Sequence, residues 1–293
     1  APCRHLVKNF RHGSLTDFDT VYAFGKDKDL LTIEIENVNT EALKKLEQEG
    51  KKVFPQPHII ELIQDKGNQK MFYQRNDIPS ADFFLVENKS QIGKYAEFFP
   101  FFQKLRKGGY DGKGVTRLTD PGRLEKAFNE PAVLERLVDF EKELAVLVAR
   151  NENGEIKTYP VVDCEFSKEA HLVEFLYSPA NIRKPIEKEA AQLAAKVAEK
   201  LGIVGLLAVE LFLTKEGKLL VNEIAPRPHN SGHHTIEANI TSQFCQHLRA
   251  ILNLPLGDCG TVKAGVMVNL LGEQGYEGPA IYEGLEDVLK FSG

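Results

Sequence analysis

Residues 204–224 read VGLLAVELFLTKEGKLLVNEI, two apolar runs that flank the polar segment 215–218. Two apolar runs around a short glycine-containing break are typical of a β-hairpin. We expect strands over residues 204–214 and 219–224, joined by a two-residue turn at Glu216 and Gly217. That register places Glu210 directly opposite Glu223.

The facing carboxylates need a partner. Like charges directly opposite each other destabilise a sheet, and Glu210 lies in an otherwise apolar run where an unpaired charge is costly. A divalent cation resolves both problems, and Mg²⁺ prefers oxygen ligands while taking the rest of its shell from water and nucleotide phosphates. We therefore favour a metal site at Glu210 and Glu223. The alternatives are that Glu210 faces solvent or a lysine, or that a longer turn changes the pairing.

Around this hairpin, the composition is that of a globular protein of two or three domains. The chain has 293 residues, 42% hydrophobic and 27% charged, which excludes a disordered or rod-like protein. A net charge of -5 gives no general attraction to nucleic acid or to an anionic membrane. We expect small-molecule ligands.

The location predicted from the sequence is cytoplasmic. No apolar run approaches the roughly 20 residues of a transmembrane helix, and the first ten residues lack the apolar block of a secretory signal. Cys3, Cys164, Cys245 and Cys259 stand far apart without a C-x-x-C pair, which favours reduced thiols over disulfides or zinc.

The pattern of strands and helices predicts mixed α/β and α+β structure. Residues 30–36 alternate apolar and polar side chains like a half-buried strand, a helix follows from Thr40 until Gly50, and Val53 begins another short strand, a βαβ rhythm. A single helix is predicted over residues 59–75, and the longest helix over 185–201, ended by Gly202. Further predicted elements are strands at 83–86, 101–105, 132–135, 143–150 and 265–271, and a helix near 121–128.

A glycine-rich basic loop lies at residues 104–114, KLRKGGYDGKG. Glycines let a backbone approach an anion closely, and lysine and arginine neutralise phosphate charge, so the segment indicates triphosphate binding. It is not a P-loop, because Gly114 stands where that motif needs a hydroxyl. A solvated hairpin turn remains an equal alternative for the loop alone.

A second polar segment, residues 225–235 (APRPHNSGHHT), directly follows the hairpin. Its prolines and glycine exclude a zinc-binding helix, despite the spacing of His229 and His233. Arg227, Asn230 and Ser231 could bind a phosphate monoester, and a histidine could complete that site. The alternative is a loop whose histidines have no ligand.

Together, residues 104–114, 134–150, Glu210, Asn222 with Glu223, and 225–248 (APRPHNSGHHTIEANITSQFCQHL) resemble the ATP-grasp ligases. Among these they resemble the 5-(carboxyamino)imidazole ribonucleotide synthases of purine biosynthesis. The resemblance implies an ATP-grasp fold with a truncated, Rossmann-like pre-ATP-grasp domain over residues 1–62. It implies an ATP-grasp domain of two lobes that clamp ATP over 63–255, and a partial C-terminal domain over 256–293.

The resemblance also implies a role for each matched residue. The implied ATP-binding residues are Lys66, Lys104, Gly109, Gly112, Gly114, Glu135, Val138, Glu143 and Asn222. Within that set the lysines contact phosphates, residues 135–138 hold the adenine and Glu143 holds the ribose. Tyr110, Asp111 and Lys113 are implied to be catalytic, next to bicarbonate and the imidazole amine. Arg227, His229, Asn230 and Ser231 are implied to bind the ribotide, and Glu210 and Glu223 to bind Mg²⁺ or Mn²⁺.

The implied reaction is the ATP-dependent carboxylation of 5-aminoimidazole ribonucleotide by bicarbonate through carboxyphosphate, in a homodimeric ligase. The chain departs from the family pattern in lacking its opening strand, its G-G-G-Q-L-G turn and its later lysine-bearing strand. Val115 replaces a frequent glutamine and Cys245 a frequent acidic residue. Two alternatives stay open: an ATP-grasp ligase that uses a different carboxylate, and a non-catalytic ATP-binding remnant.

Overall fold

The computed structural model describes residues 2–109, 114–166, 173–270, 272, 275, 278–279 and 281–290. Its N-terminal region is a small α/β unit in which two short parallel strands flank a helix, as the βαβ rhythm predicts. The elements are α1 (Phe18–Gly25), β1 (Leu30–Leu31), α2 (Thr40–Gln48), β2 (Lys52–Val53), α3 (Pro57–Ile63) and α4 (Lys66–Arg75). Leu43, Leu46, Val53 and Ile60 form the centre of its core.

Two predictions for this region are wrong. The strand predicted over residues 30–36 is only Leu30–Leu31, because its parallel partner β2 ends before Pro55, which has no N–H for the ladder. The single helix predicted over 59–75 is two helices. Asp65 adopts an extended conformation and its carboxylate accepts the backbone N–H groups of Gly67 and Asn68, an N-cap that starts a new helix.

A four-stranded antiparallel sheet, here called the small sheet, follows. Its strands are β3 (Phe83–Val86), β4 (Phe101–Leu105), β5 (Val115–Leu118) and β6 (Ala132–Arg136), in the order β3-β6-β4-β5. The helix predicted near residues 121–128 is wrong, since turns occupy this segment. The Asp120 carboxylate caps a turn at Gly122, and the Gln103 amide bonds both the N–H and the C=O of Phe128, so these groups are satisfied outside a helix.

The large sheet is mainly antiparallel and carries most of the core. Its strands are β7 (Phe140–Arg150), β8 (Ile156–Thr158), β9 (Val162–Phe166), β10 (Val173–Ser178), β11 (Gly205–Thr214), β12 (Leu219–Ala225) and β13 (Gly265–Val268). They run in the order β12-β11-β7-β9-β10-β13, and β8 pairs with β7. The predicted strands at 83–86, 101–105, 132–135 and 143–150 are confirmed, and the strand at 265–271 is shorter than predicted.

Helix α5 (Lys184–Leu201) covers one face of the large sheet and ends at Gly202, whose φ of 64° is left-handed, as predicted. Helices α6 (Thr235–Ala238), α7 (Gln243–Ile251) and α8 (Leu285–Val288) complete the described α-helices, and short 3-10 helices lie at Pro2–His5, Lys89–Phe98 and Asn230–Gly232. Of the helices that the structure describes, none is long and apolar enough to cross a bilayer. Cys164, Cys245 and Cys259 are free thiols.

The two sheets are joined by residues 137–139, between β6 and β7, and they approach each other at their polar faces. The ammonium of Lys104 on β4 lies 3.4 Å from the Asn222 amide oxygen on β12. Lys104 therefore marks where the small sheet meets the hairpin of the large sheet.

Candidate active site

The hairpin of β11 and β12 places three polar side chains on one face by means of a bulge. The predicted two-residue turn is wrong. Thr214 donates to the carbonyl of Lys218 across a three-residue loop, in which Gly217 has a φ of 79°. Near the loop, Leu211 pairs with Val221, whereas beyond the bulge Val209 pairs with Ile224. The bulge thus sets Glu210 opposite both Asn222 and Glu223, so the predicted proximity of the two carboxylates is confirmed by a different route.

Core packing shows the effect of this bulge on side-chain direction. Val221 and Ile224 both pack in the core beneath α5, although three-residue spacing reverses the face in a regular strand. At the bulge, the two residues Asn222 and Glu223 lie opposite the single residue Glu210. Both of their side chains turn to the face away from α5, where the Glu210 side chain also lies. A regular hairpin of the same sequence would direct only one of these two residues into the site.

Two lysines from outside the large sheet contact this polar face. The Lys66 ammonium, at the first residue of α4, forms an ion pair with the Glu223 carboxylate. Lys104 contributes the contact to Asn222 and also lies 3.2 Å from Glu135. Burial by itself would raise the pKa of Glu223, but the charges of Lys66 and Lys104 outweigh it and lower that pKa. Glu223 is therefore an anion at neutral pH.

Beneath Lys104 lies a buried ion-pair cluster. The Glu135 carboxylate on β6 receives Lys104 at 3.2 Å and Lys70 of α4 at 3.3 Å. Lys70 is 2% exposed and Glu135 4%. Burial lowers the pKa of Lys70, partly offset by the Glu135 charge, and the two lysines keep the pKa of Glu135 below its usual value despite burial. This cluster fixes Lys104 from below.

Two further carboxyls on the polar face have raised pKa values. Burial raises the pKa of Glu143 to about 7. Burial, followed by the charges of Glu223 and Glu143, also raises the pKa of Glu210 to about 7. Burial and the neighbouring carboxylates outweigh the charges of Lys66 and Lys104 at Glu210, so this group of carboxyls attracts a further cation.

The polar face fits a metal ion that takes only part of its ligands from the protein. Within the described residues, no three His, Cys, Asp or Glu side chains are grouped to hold a metal by protein ligands alone. Glu210 and Glu223 supply two carboxylates on one face, with the Asn222 amide beside them. A donor set of few hard oxygens fits Mg²⁺ or Mn²⁺, which complete their shells with water and phosphate oxygens.

Residues 225–235, from the last residue of β12 to the first residue of α6, form the irregular segment that was predicted, and we call it the donor loop. Its His229 ring lies with Nε2 3.6 Å from the Glu210 carboxylate. The Ser231 N–H donates to Nδ1 at 3.3 Å, so the ring proton resides on Nε2 and faces Glu210. Burial, followed by the Arg227 charge, lowers the pKa of His229 to about 4. His229 is a neutral donor at pH 7.

Other groups on the donor loop are also held. The Arg227 guanidinium forms an ion pair at 2.7 Å with Glu36 of the N-terminal region. The Ser231 hydroxyl bonds the His229 ring at 2.9 Å, and the Ser231 residue is 4% exposed. The loop thus connects the large sheet to the N-terminal unit, and its polar groups converge beside the carboxylates.

The glycine-rich segment begins on β4 directly after Lys104. Gly108 and Gly114 have φ values of 76° and 75°, and a Cβ on Gly114 would lie 3.1 Å from the Gly109 backbone. Glycine is therefore required for the two ends to approach each other. Tyr110, Asp111, Gly112 and Lys113 lie outside the described residues, so their predicted roles stay predictions.

Comparisons with known proteins agree with this architecture. Residues 71–244 match the ATP-grasp domain family, and residues 1–64 match the ribonucleotide synthetase preATP-grasp domain. The N5-carboxyaminoimidazole ribonucleotide synthase of Bacillus subtilis is 37% identical over 284 residues, which cover 94% of this chain and 73% of that protein. The crystal structure of the Thermotoga maritima synthetase has 46% identity and a TM-score of 0.85, covering 94% of this chain and 73% of that one.

The chain belongs to the N5-carboxyaminoimidazole ribonucleotide synthase family of ATP-grasp enzymes. A further member of that family is the Aspergillus clavatus synthase in complex with ADP and 5-aminoimidazole ribonucleotide. It has 31% identity and a TM-score of 0.86, and the match covers 93% of this chain and 74% of that one. The resemblance inferred from the sequence, and the ATP-grasp fold with a preATP-grasp domain, are confirmed.

In this member of the synthase family, the structure brings most of the predicted residues into one region. The hairpin carboxylates, Lys66, Lys104, Glu143 and His229 all lie there. Glu135 is adjacent but buried among lysines, and Val138 lies in the segment that joins the two sheets. Asn230 forms the first turn after His229.

Sequence reasoning missed several residues of this synthase site. Lys70 follows Lys66 by four residues and so shares its helical face, a signal that was present in the sequence. Asp65 carried the signal of an N-cap. Glu36 and Gln243 gave no local signal, because each acts on a segment far away in the chain.

Proposed function

We propose that this protein catalyses the ATP-dependent carboxylation of 5-aminoimidazole ribonucleotide by bicarbonate, through carboxyphosphate, to 5-carboxyaminoimidazole ribonucleotide in purine biosynthesis. The observation that carries the proposal is the bulge, which turns Glu210, Asn222 and Glu223 toward the lysines of the small-sheet side. Membership of the synthase family supports the choice of reaction.

On the ATP side, Glu210 and Glu223 would hold Mg²⁺ or Mn²⁺, which supplies stabilisation of negative charge on the transferring phosphoryl group. Lys66 and Lys104 would bind phosphate oxygens, together with the backbone of Gly109, Gly112 and Gly114. Residues 135–138, with Val138 at the junction of the sheets, would hold the adenine. Glu143 would bind the ribose, and Asn222 would complete the ATP-binding set.

Lys66 and Glu223 can each replace one oppositely charged partner by another when ATP and a metal ion bind. Lys66 neutralises Glu223 in the free protein. When Lys66 turns to a phosphate, Glu223 becomes free to bind a cation, so neither group is left buried without an opposite charge. The ion pair is thus a resting arrangement that ATP with its metal would replace.

On the ribotide side, Arg227, His229, Asn230 and Ser231 would form the binding site for 5-aminoimidazole ribonucleotide. Arg227 would use the guanidinium N–H groups that do not contact Glu36, and neutral His229 would donate from Nε2. Tyr110, Asp111 and Lys113 are proposed to act next to bicarbonate and the amine, and they exclude water from the reactive anhydride when substrates are bound.

The test is the release of ADP by the purified protein with ATP, Mg²⁺ and bicarbonate, in the presence and absence of 5-aminoimidazole ribonucleotide. We expect ADP formation that depends on the ribotide, with a carboxylated ribotide as product. Turnover with formate or another carboxylate in place of bicarbonate would establish a different ligase. ATP binding by calorimetry with no turnover on any substrate would establish a non-catalytic remnant.

We also propose that the protein is a homodimer. Five apolar side chains on α6, α7 and the residues that flank them are exposed by 40–60%: Ile236, Ile240, Phe244, Leu248 and Leu252. Phe244, Leu248 and Leu252 are spaced four residues apart and so share one side of α7. An exposed apolar surface of this kind is typical of an interface. Leu248→Glu should convert a dimer to a monomer in light scattering, whereas a monomeric native protein would contradict the proposal.

The cytoplasm is the proposed location, and the division into domains at residues 62/63 and 255/256 is likewise part of the proposal. Limited proteolysis tests the division. Cuts near these two positions that leave folded fragments would support it. First cuts inside 63–255, outside the glycine-rich loop, would contradict it.

A further inference from the structure

Gln243 is the first residue of α7 and is fully buried, at 0% exposed. Its side-chain amide bonds both backbone groups of His229. The His229 N–H donates to Oε1 at 2.8 Å, and Nε2 donates to the His229 carbonyl at 2.9 Å. His229 is extended, with φ -131° and ψ 155°. The Gln243 amide therefore bonds the His229 N–H and C=O as the backbone of an adjacent β-strand would.

A third contact fixes the orientation of this amide. Nε2 lies 3.0 Å from Nδ1 of His233, so its two hydrogens are directed to the His229 carbonyl and the His233 ring. Of the three groups that the amide contacts, only the His229 N–H is a donor, so Oε1 must face that N–H. Both His233 and His229 then carry their ring proton on Nε2. An amide fits these contacts, whereas a carboxylate would place an acceptor against two acceptors.

The surrounding chain is shaped to this side chain. A Cβ on Gly232 would overlap the Gln243 amide and the Leu147 side chain, so only glycine fits there. The Gln243 N–H also donates to the Thr235 hydroxyl at 2.8 Å. The start of α7 and the donor loop are therefore locked together at both ends of the Gln243 residue.

We propose that Gln243 is a positioning residue for the ribotide side of the site. It touches no substrate-facing atom in the described structure but fixes the backbone of His229, whose ring points at Glu210 and which lies two residues after Arg227. Gln243 thereby sets the positions of the polar side chains of the donor loop. This inference rests on the proposed function of the donor loop. It attributes the geometry of that loop to the neutral side-chain amide of Gln243 on α7.

The same helix offers a matched control. Gln246 is also 0% exposed, and its amide bonds the N–H of Gly257 at 2.8 Å and the carbonyl of Gly257 at 3.0 Å. It therefore bonds both backbone groups of one residue in the same bidentate manner, but that residue lies in the loop after α7 and not in the donor loop. Gln243→Glu and Gln246→Glu remove the same donor from the same kind of buried contact.

The first measurement is the steady-state kinetics of the two variants beside the native chain. Gln243→Glu should raise KM for 5-aminoimidazole ribonucleotide by about tenfold or more and change KM for ATP less than about threefold. Gln246→Glu should leave both KM values within about twofold, with a similar fall in melting temperature. Equal effects of the two variants, or an equal rise in both KM values for Gln243→Glu, would mean a merely structural role and would overturn the inference.

The second measurement does not depend on turnover. Nitrogen-15 NMR of the histidine rings should show His233 with an unprotonated Nδ1 in the native chain and in Gln246→Glu. In Gln243→Glu, the proton should move to Nδ1 to meet the carboxylate. An unchanged His233 ring in Gln243→Glu would overturn the contact itself. If instead the ring changes as expected but the native chain shows no ribotide-dependent activity, the proposed function fails while the clamp stands.

Discussion

The two halves of the site are held in place by opposite means. On the side proposed to bind ATP, opposite charges hold each other: Lys66 pairs with the partly exposed Glu223, and Lys70 and Lys104 share the buried Glu135. On the side proposed to bind the ribotide, neutral contacts predominate, since the Gln243 amide holds the His229 backbone and burial keeps that imidazole uncharged.

Each half of the site can therefore respond to a ligand in its own way. Ion pairs between buried groups can be exchanged for pairs with phosphate and metal at little change in charge, so the ATP side is built to change partners. Directional hydrogen bonds of an amide have no such substitute, so the donor loop is built to keep its shape. Arg227, paired with Glu36, is the exception on the ribotide side.

The largest effect is expected from Glu223→Gln, which removes the charge that both Lys66 and the metal would use. Loss of a metal ligand at the transferring phosphoryl group should lower kcat/KM for ATP by on the order of 100-fold or more. ADP formation at saturating ribotide measures this. Glu216→Gln on the exposed loop of the same hairpin is the control and should change the rate by less than about twofold. Equal rates for the two variants would remove Glu223 from the site.

Lys70→Met tests whether the buried cluster is held by charge. Removing one partner of a buried ion pair costs about 3–5 kcal/mol, and because Lys104 still faces Glu135 we expect about 3 kcal/mol. Urea unfolding measures the loss in the free energy of unfolding. Exposed Lys188→Met on α5 should change it by less than about 0.5 kcal/mol. A Lys70→Met protein as stable as the native chain would show that charge does not hold the cluster.

The pH dependence of metal binding tests the role of Glu210 on the ATP side. Burial and the neighbouring carboxylates raise the pKa of Glu210 to about 7, and a metal binds only the ionised form. Affinity for Mg²⁺ with ATP should therefore fall by about tenfold per pH unit below 7 and level off above it, with proton release on binding near pH 7. Calorimetry in buffers of different ionisation enthalpy measures the released proton.

The same carboxyl affects stability with the opposite sign. A folded-state pKa raised from 4.5 to about 7 means that the folded chain binds the proton more tightly than the unfolded chain does. This contribution to the free energy of unfolding is complete below pH 4.5 and is lost as pH rises through about 7. Glu210→Gln should abolish the proton release and the Glu210 share of this loss, while Glu143, whose pKa is also raised to about 7, keeps its own share. If the proton release persists in that variant, the titrating group is not Glu210.

Much of the fold was predictable from local pattern. The hairpin, the helix ended by Gly202 and three strands of the small sheet (β3, β4 and β6) follow from apolar spacing and turn residues, whereas strand β5 was not predicted. The break at Asp65 was missed because one N-cap carboxylate outweighs a continuous helical pattern. The helix near residues 121–128 failed because Gln103, distant in the chain, bonds the backbone of Phe128.

The site was predictable in its residue types and less so in its geometry. The sequence placed Glu210 near Glu223 through a turn that does not exist, and a bulge set by core packing restored the register. That bulge also turned Asn222 into the site, which alternation along a regular strand would not allow. The clamp by Gln243 and the pair of Arg227 with Glu36 depend on segments brought together only by the fold.

The smallest effect is expected from Arg106→Lys, at the base of the glycine-rich loop. The Arg106 guanidinium binds the Asp65 carboxylate through Nε and Nη2, each at 2.9 Å, and its carbonyl accepts the Lys66 N–H at 2.9 Å. The loop is therefore tied to the start of α4, which carries Lys66. Lysine keeps the charge but forms only one of the two parallel bonds, so we expect a loss of about 1 kcal/mol in urea unfolding.

The same variant should raise KM for ATP a few-fold and leave KM for the ribotide unchanged, because the contact lies wholly on the ATP side. Arg123→Lys is the control, since its pair with Asp120 is 3.8 Å long and the Arg123 side chain is 83% exposed. If Arg106→Lys disturbed the ribotide KM as strongly as the ATP KM, the two halves would be one mechanical unit. An effect confined to ATP would mean that each half is positioned by its own contacts.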